Sequence, residues 1–141
     1  MRYLSIDYGS RRTGLAICDA GETIVSPYSV LDSRKGLLEK IIEITKSESV
    51  GAIVVGLPLN MDDSKGFQAQ ICEKFAEQLK KQLQVPIYLQ DERLSSFAAE
   101  EKLAPAQYTR GKKKERLDAI AAAEILELFL QQKLEDNQVE E

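Results

Sequence analysis

Three acidic positions, far apart along the chain, could do chemistry here: Asp7, the adjacent pair Asp91–Glu92, and Asp118. The first two sit where a buried, strand-like run meets a turn, and Asp118 interrupts the apolar face of the last predicted helix. A carboxylate on an apolar face is costly unless something positive satisfies it. Several that converge would offer oxygen ligands to a hard divalent cation, as metal-dependent phosphodiester chemistry requires. The chain has no histidine. That excludes histidine-based acid–base catalysis, Ser-His-Asp and Cys-His nucleophiles, and His-ligated zinc. Hydrolysis by this chain must run on carboxylates, lysine, tyrosine or a metal.

Each acid lies in a motif with a plainer reading beside it. Asp7-Tyr8-Gly9-Ser10-Arg11-Arg12-Thr13-Gly14 closes a strand with an acid and lets the backbone approach a ligand at glycine, but Asp and Gly also make ordinary hairpin turns. After the fourth strand, Gly56-Leu57-Pro58-Leu59-Asn60 could end the strand, with Asn60 on substrate or merely holding the loop. Gln90-Asp91-Glu92-Arg93-Leu94-Ser95-Ser96 crowds two carboxylates, a guanidinium and two hydroxyls at one strand end. Arg93 suits bidentate phosphate contact. Neighbouring residues on an extended strand point to opposite sides, so one of Asp91 and Glu92 enters the site and the other does not. Asp118 could be an exposed acid paired with Lys114 at i−4. The basic block Arg110, Lys112, Lys113, Lys114 and Arg116 is either a solvated surface or a grip on a phosphate backbone.

The elements that must position these residues follow from periodicity. Arg2–Asp7, Thr13–Cys18 and Thr23–Val30 read as three strands with short connections, an antiparallel meander. Ser33 can cap a helix to about Ser47. Val50–Leu57 is continuously apolar, as a strand covered on both faces would be. Lys65–Gln84 is helical, Val85–Leu89 is a buried strand, and Ser95 or Ser96 can cap a short helix to Leu103. A loop over Ala104–Lys113 and a last helix over Lys114–Leu134 complete the domain. This order predicts an α/β fold, a mixed five-stranded sheet with helices on both faces. Sites in such sheets lie at the carboxyl ends of the strands.

At 141 residues the chain is one domain, residues 1–134, with an acidic tail at 135–141 expected to be disordered. The net charge of −4 comes from that tail: without Glu135, Asp136, Glu140 and Glu141 there are 19 basic and 19 acidic residues, so a polyanionic partner is not excluded. Cys18 and Cys72 read as buried small hydrophobes. No apolar run is long enough to span a bilayer and the N-terminus lacks a signal-peptide pattern, so no membrane is expected and the cytoplasm is the predicted location.

Four segments together, IDYGSRRTGLAI, GLPLNMD, QDERLSS and LDAIAAAEIL, resemble the YqgF/RuvX family of pre-16S rRNA nucleases, relatives of the Holliday junction resolvase RuvC. The resemblance spans about Arg2 to Gln132. It implies an RNase H-like fold, a Mg²⁺- or Mn²⁺-dependent endonuclease, and trimming of the 5′ end of pre-16S rRNA on a ribosomal precursor particle. By position, Asp7, Glu92 and Asp118 would be the catalytic metal ligands, with Asp91 the alternative to Glu92. Asn60, Arg93, Ser95, Arg110, Lys112, Lys113 and Lys114 would hold substrate. The chain has Ala where RuvC-type resolvases show a further acid. Ser96 stands where Thr is commoner in the family. Junction resolution on branched DNA, which favours a homodimer, and a non-catalytic RNA-binding assembly role are the competing readings; a monomer or weak homodimer is expected.

Overall fold

The computed structural model describes residues 1–60, 62, 64–92 and 110–139, the side chains of 110–116 and 137–139 excepted. Strict alternation organises the first strand, β1 (Tyr3–Asp7). Leu4 and Ile6 enter one apolar layer, while Tyr3 enters another on the opposite face, with Ser5 and Asp7 on its side of the pleat. β2 (Arg12–Cys18) pairs antiparallel with β1, and β3 (Val25–Asp32) antiparallel with β2. After helix α1 (Leu37–Ser47), strand β4 (Ala52–Leu57) pairs parallel with β1; after α2 (Phe67–Gln82), β5 (Ile87–Asp91) pairs parallel with β4. The sheet order is β3-β2-β1-β4-β5, and the long helix α3 (Arg110–Val139) follows β5 in sequence.

The sheet divides the core in two. Leu4, Ile6, Leu15, Ile17, Ile53 and Val55 pack with Leu37 and Ile41 of α1 and with Phe75 and Leu79 of α2. On the other face Tyr3, Cys18, Ala52 and Val54 pack against Ile125, Leu126 and Leu130 of α3. Each fully buried Leu or Ile contributes roughly 1.5–3 kcal/mol through water released. β4 is buried along its whole length, as its unbroken apolar run requires. Both cysteines are buried and free.

Several boundaries differ from the sequence reading for identifiable reasons. β3 begins at Val25 rather than Thr23, because the Asp19 carboxylate accepts the backbone N–H groups of Thr23 and Ile24 and folds them into a turn. It runs on to Asp32 because Asp32 pairs with Arg12. Ser33 is not the N-cap of α1. Its hydroxyl bonds that of Thr13 at 2.7 Å, and the helix starts only after Gly36, which takes φ 61°. β5 extends past Leu89 to Asp91 through its parallel pairing with Leu57. α3 takes in the backbone of 110–113, expected as loop, and of 135–139, expected as tail; the Lys, Arg, Glu and Gln residues there are good helix formers. The short helix expected between Ser95 and Leu103 lies outside the described residues.

Candidate active site

The carboxyl ends of the parallel strands β1 and β5 lie on either side of β4, and their terminal acids meet over it. Asp7 closes β1. Glu92 follows β5 directly, its backbone N–H donating to Leu57 O at 3.2 Å. The Asp7 and Glu92 side chains are hydrogen-bonded to each other. What lets Glu92 in is Gly56 of β4: a Cβ there would collide with the Glu92 carboxylate and stand 2.7 Å from Ile125 Cδ1. Asp91 falls on the opposite side of the pleat, where Ile87 joins the α1–α2 layer, whereas Tyr88 meets Phe129 of α3 in a tilted ring contact.

Burial sets the electrostatics of this pair. Asp7 is pushed up to about 6, first by removal from water and then by the negative charge of Asp118; its hydrogen bond with Glu92 opposes the shift. Glu92 is pushed up to about 8 by burial, by the charge of Asp7, by donating its proton to Asp7, and by the charge of Asp91. Near neutral pH the pair is a carboxylic acid hydrogen-bonded to a carboxylate, because two anions this close in low dielectric cannot both persist. The thiol of Cys72, beneath the acids, is driven up to about 12 by burial and then by Glu92 and Asp7, so it is inert.

Asp118 reaches the site by a second close approach. Its backbone carbonyl lies against the α-carbon of Gly14, where a Cβ would overlap it, and Gly14 is the register partner of Asp7. Ser5 donates its hydroxyl to Ala122 O at 2.6 Å, one turn further along α3. The Asp118 carboxylate is turned to Arg12, whose Nε donates at 2.9 Å. So two acids are in contact and the third is within Coulombic reach. Among the described residues no three acidic or cysteine side chains are close enough to form a finished metal cluster. The Lys114 alternative for Asp118 lies outside the described side chains, whereas Arg12 is a partner the sequence reading missed; Arg12 stands beside Thr13-Gly14, the stretch of β2 that α3 crosses.

The other expected contacts divide in two. The Asn60 amide donates to the Ser64 hydroxyl at 3.0 Å, and its backbone N–H to Ser64 O, so Asn60 ties together the exposed β4–α2 loop. Arg93 and Ser95 lie outside the described residues, as do the side chains of Arg110, Lys112, Lys113 and Lys114. The backbone of that basic block forms the first turns of α3, roughly 6 Å per four residues upstream of Asp118.

A five-stranded mixed sheet in the order β3-β2-β1-β4-β5 with helices on both faces defines an RNase H-like fold of the RuvC type. Solved structures share this fold: the fowlpox virus Holliday junction resolvase covers 94% of this chain and 99% of its own at TM-score 0.59 and 15% identity. Thermus thermophilus RuvC in complex with a Holliday junction substrate covers 91% and 96% at TM-score 0.52 and 15% identity. At these identities the likeness is one of fold. The family model described as "RuvX: Holliday junction resolvase" matches residues 1–132, and the chain belongs to that family. Similar full-length relatives are the "Putative pre-16S rRNA nuclease" of Maridesulfovibrio salexigens, 42% identical over 92% of this chain and 98% of that protein, and its namesake in an Anaeromyxobacter species, 42% identical over 92% and 96%.

Proposed function

We propose that this protein is a divalent-metal-dependent endonuclease that cleaves structured RNA, processing the 5′ end of pre-16S rRNA on a ribosomal precursor. Family membership supports the nuclease. The observation that carries the metal dependence is the Asp7–Glu92 pair: two half-buried carboxylates in contact, with a third acid beside them, that hold a shared proton near neutral pH where a bound cation would replace it. The donors are all carboxylate oxygens, which fits Mg²⁺ or Mn²⁺ and not a soft metal. Asp7, Glu92 and Asp118 would hold the ion, which when bound supplies an activated water and stabilises charge on the leaving oxygen. Arg12 sets the third ligand: its guanidinium holds Asp118 until a stronger cation competes for it. No protein nucleophile is required, in keeping with the missing histidine. Among the described residues no helix is long and apolar enough to cross a membrane; action on a ribosomal precursor supports the cytoplasm as the location of this proposed activity.

The test is cleavage of a labelled pre-16S 5′ leader with Mn²⁺ or EDTA by wild type and Asp118→Asn. Metal-dependent cutting lost in the variant is expected. Cutting that survives EDTA would overturn the metal reading, and Asp118→Asn with full activity would remove Asp118 from the site. Junction resolution is the second reading, favoured by the family description. It requires a dimer with two sites, so a strict monomer by size-exclusion that leaves four-way junctions intact rules it out. If wild type cuts neither substrate, free or on the precursor particle, the protein is an assembly factor on a nuclease fold.

Gly56→Ala offers an independent check on Glu92. The added methyl must push the carboxylate away from Asp7, and displacement of a reacting group by about 1 Å costs roughly 10²-fold in rate. We expect that loss in kcat with RNA binding unchanged. Wild-type turnover in Gly56→Ala would mean the Glu92 position is immaterial.

A further inference from the structure

We propose a second phosphate-binding subsite, adjoining the acids through the Arg12–Asp118 ion pair, in the pocket between the β1–β2 turn and the end of β3. It is a cavity of about 340 Å³ lined by Arg11, Arg12, Val30, Leu31, Asp32 and Arg34. It lies at the same sheet end as Asp7, because Arg12 begins β2 and pairs with Asp32, the last residue of β3. β3 is two strands from β1, so the pocket stands about 10 Å along the sheet edge from Asp7 at the usual strand spacing of about 4.8 Å. That is about three nucleotide rises of 3.4 Å along one helical strand. The inference rests on the nuclease reading, which it deepens by assigning where a flanking nucleotide is held.

The charge and geometry of the pocket suit a phosphodiester. Three guanidiniums face two carboxylates, Asp32 within the lining and Asp118 reached by Arg12, so one positive charge is left over. Arg34 is clamped by Asp32 through Nε–Oδ1 at 3.1 Å and Nη2–Oδ2 at 3.2 Å, and Asp32 also accepts the Arg34 backbone N–H at 2.9 Å. That fork fixes the plane of the guanidinium and leaves Nη1 to donate outward. Arg12 is likewise fixed through Nε alone, leaving both terminal nitrogens. Arg11 is exposed, and among the described residues no hydrogen bond or ion pair engages its guanidinium. Two oriented guanidiniums and one adjustable one are what bidentate recognition of a tetrahedral anion uses, and lysine could not reproduce the fork. Val30 and Leu31 leave room for a sugar without reading a base, so the subsite is independent of sequence.

The experiment measures binding of a labelled single-stranded RNA against salt concentration, in an Asp7→Asn background that prevents cutting. Arg11→Gln and Arg11→Lys are compared with Lys81→Gln, an exposed charge at the far end of α2. Arg11→Gln should weaken binding about fivefold at low salt and flatten the slope of log K against log salt by about 0.7, the value of one lost single-strand phosphate contact. Arg11→Lys should restore the slope, since it keeps the charge, and Lys81→Gln should leave it unchanged. Equal effects of Arg11→Gln and Lys81→Gln would mean that only overall charge matters and would overturn the subsite. Full affinity and slope in Arg11→Gln overturn it too, while leaving the nuclease reading standing. Absence of RNA binding by the parent protein, at low salt, would overturn both together.

Discussion

Asp7→Asn is expected to abolish metal-dependent cleavage, by 10³-fold or more on the scale of losses seen when a charge-stabilising group is removed, and yet to make the metal-free protein more stable at alkaline pH. The second half follows from the raised acidities. Asp7 and Glu92 ionise near 4 in the unfolded chain but near 6 and 8 in the folded one. Below about pH 4 both are protonated in both states, and the site costs the fold nothing. As pH rises, the unfolded chain releases protons that the folded one retains, so stability falls from about pH 4 to about pH 8 and the full penalty is present above that. One pKa unit corresponds to about 1.4 kcal/mol, so the penalty amounts to a few kcal/mol. Asn removes the Asp7 charge that holds the Glu92 proton in place. Relief of only about 1–2 kcal/mol of that penalty should raise the melting temperature of the variant in EDTA at pH 8 by roughly 5 °C over wild type, at about 2–8 °C per kcal/mol for a domain of this order of size. The difference should vanish near pH 4. Melting curves that coincide at pH 8 would show that the pair stores no strain. Added Mg²⁺ should raise the wild-type melting temperature and leave that of the variant nearly unmoved, because a ligand stabilises only the state that binds it.

Gly14→Ala should be strongly damaging, because Gly14 has the closest backbone approach that an added methyl meets at any described glycine. The atoms it would meet are the backbone carbonyl of Asp118 and the backbone nitrogen of Ala119, which cannot rotate away as a side-chain end could. Overpacking of a fixed core contact costs typically 1–3 kcal/mol and occasionally more. Here the helix must lift as a unit from β2, so about 3 kcal/mol and a fall in melting temperature on the order of 10 °C are expected. Activity should disappear even at temperatures where the variant is folded, since raising α3 at Gly14 carries Asp118 away from Asp7, the register partner of Gly14. Ser5→Ala is the companion variant. It removes the hydroxyl that binds Ala122 O, a loss of about 1 kcal/mol without displacement of the helix, and should keep most of the cleavage activity. If Gly14→Ala melted within 1 kcal/mol of wild type and cleaved normally, the close crossing would be unimportant to the site.

The order of the central elements was readable from periodicity because burial on two faces enforces it in β1, β2 and β4, whereas the edge strands β3 and β5 are half-exposed. β4 has no polar residue to misplace, and Leu4 and Ile6 of β1 alternate with Tyr3 and Ser5 as a sheet between two layers demands. Errors fell where a side chain overrules local pattern. Asp19 folds Thr23 and Ile24 into a turn, and Ser33 spends its hydroxyl on Thr13 instead of a helix terminus. Neither is visible in propensity: one depends on the backbone N–H groups four and five residues on, the other on a hydroxyl twenty residues away.

The candidate acids were legible one by one, because a carboxylate at the end of an apolar run stands out and the missing histidine narrows the chemistry. Their arrangement was not. That Glu92 rather than Asp91 meets Asp7 depends on which face of the sheet α3 covers, and residue types do not encode that parity. That Arg12 holds Asp118 depends on a contact between residues 106 apart in the chain. Gly14 read as part of a turn motif and Gly56 as a strand end; only the packed chain shows the helix and the Glu92 side chain occupying the space a Cβ would take. Residue chemistry is a local property and survives in a string of letters; proximity, burial and the proton shared by two carboxylates arise only when distant segments are packed together and water is excluded between them.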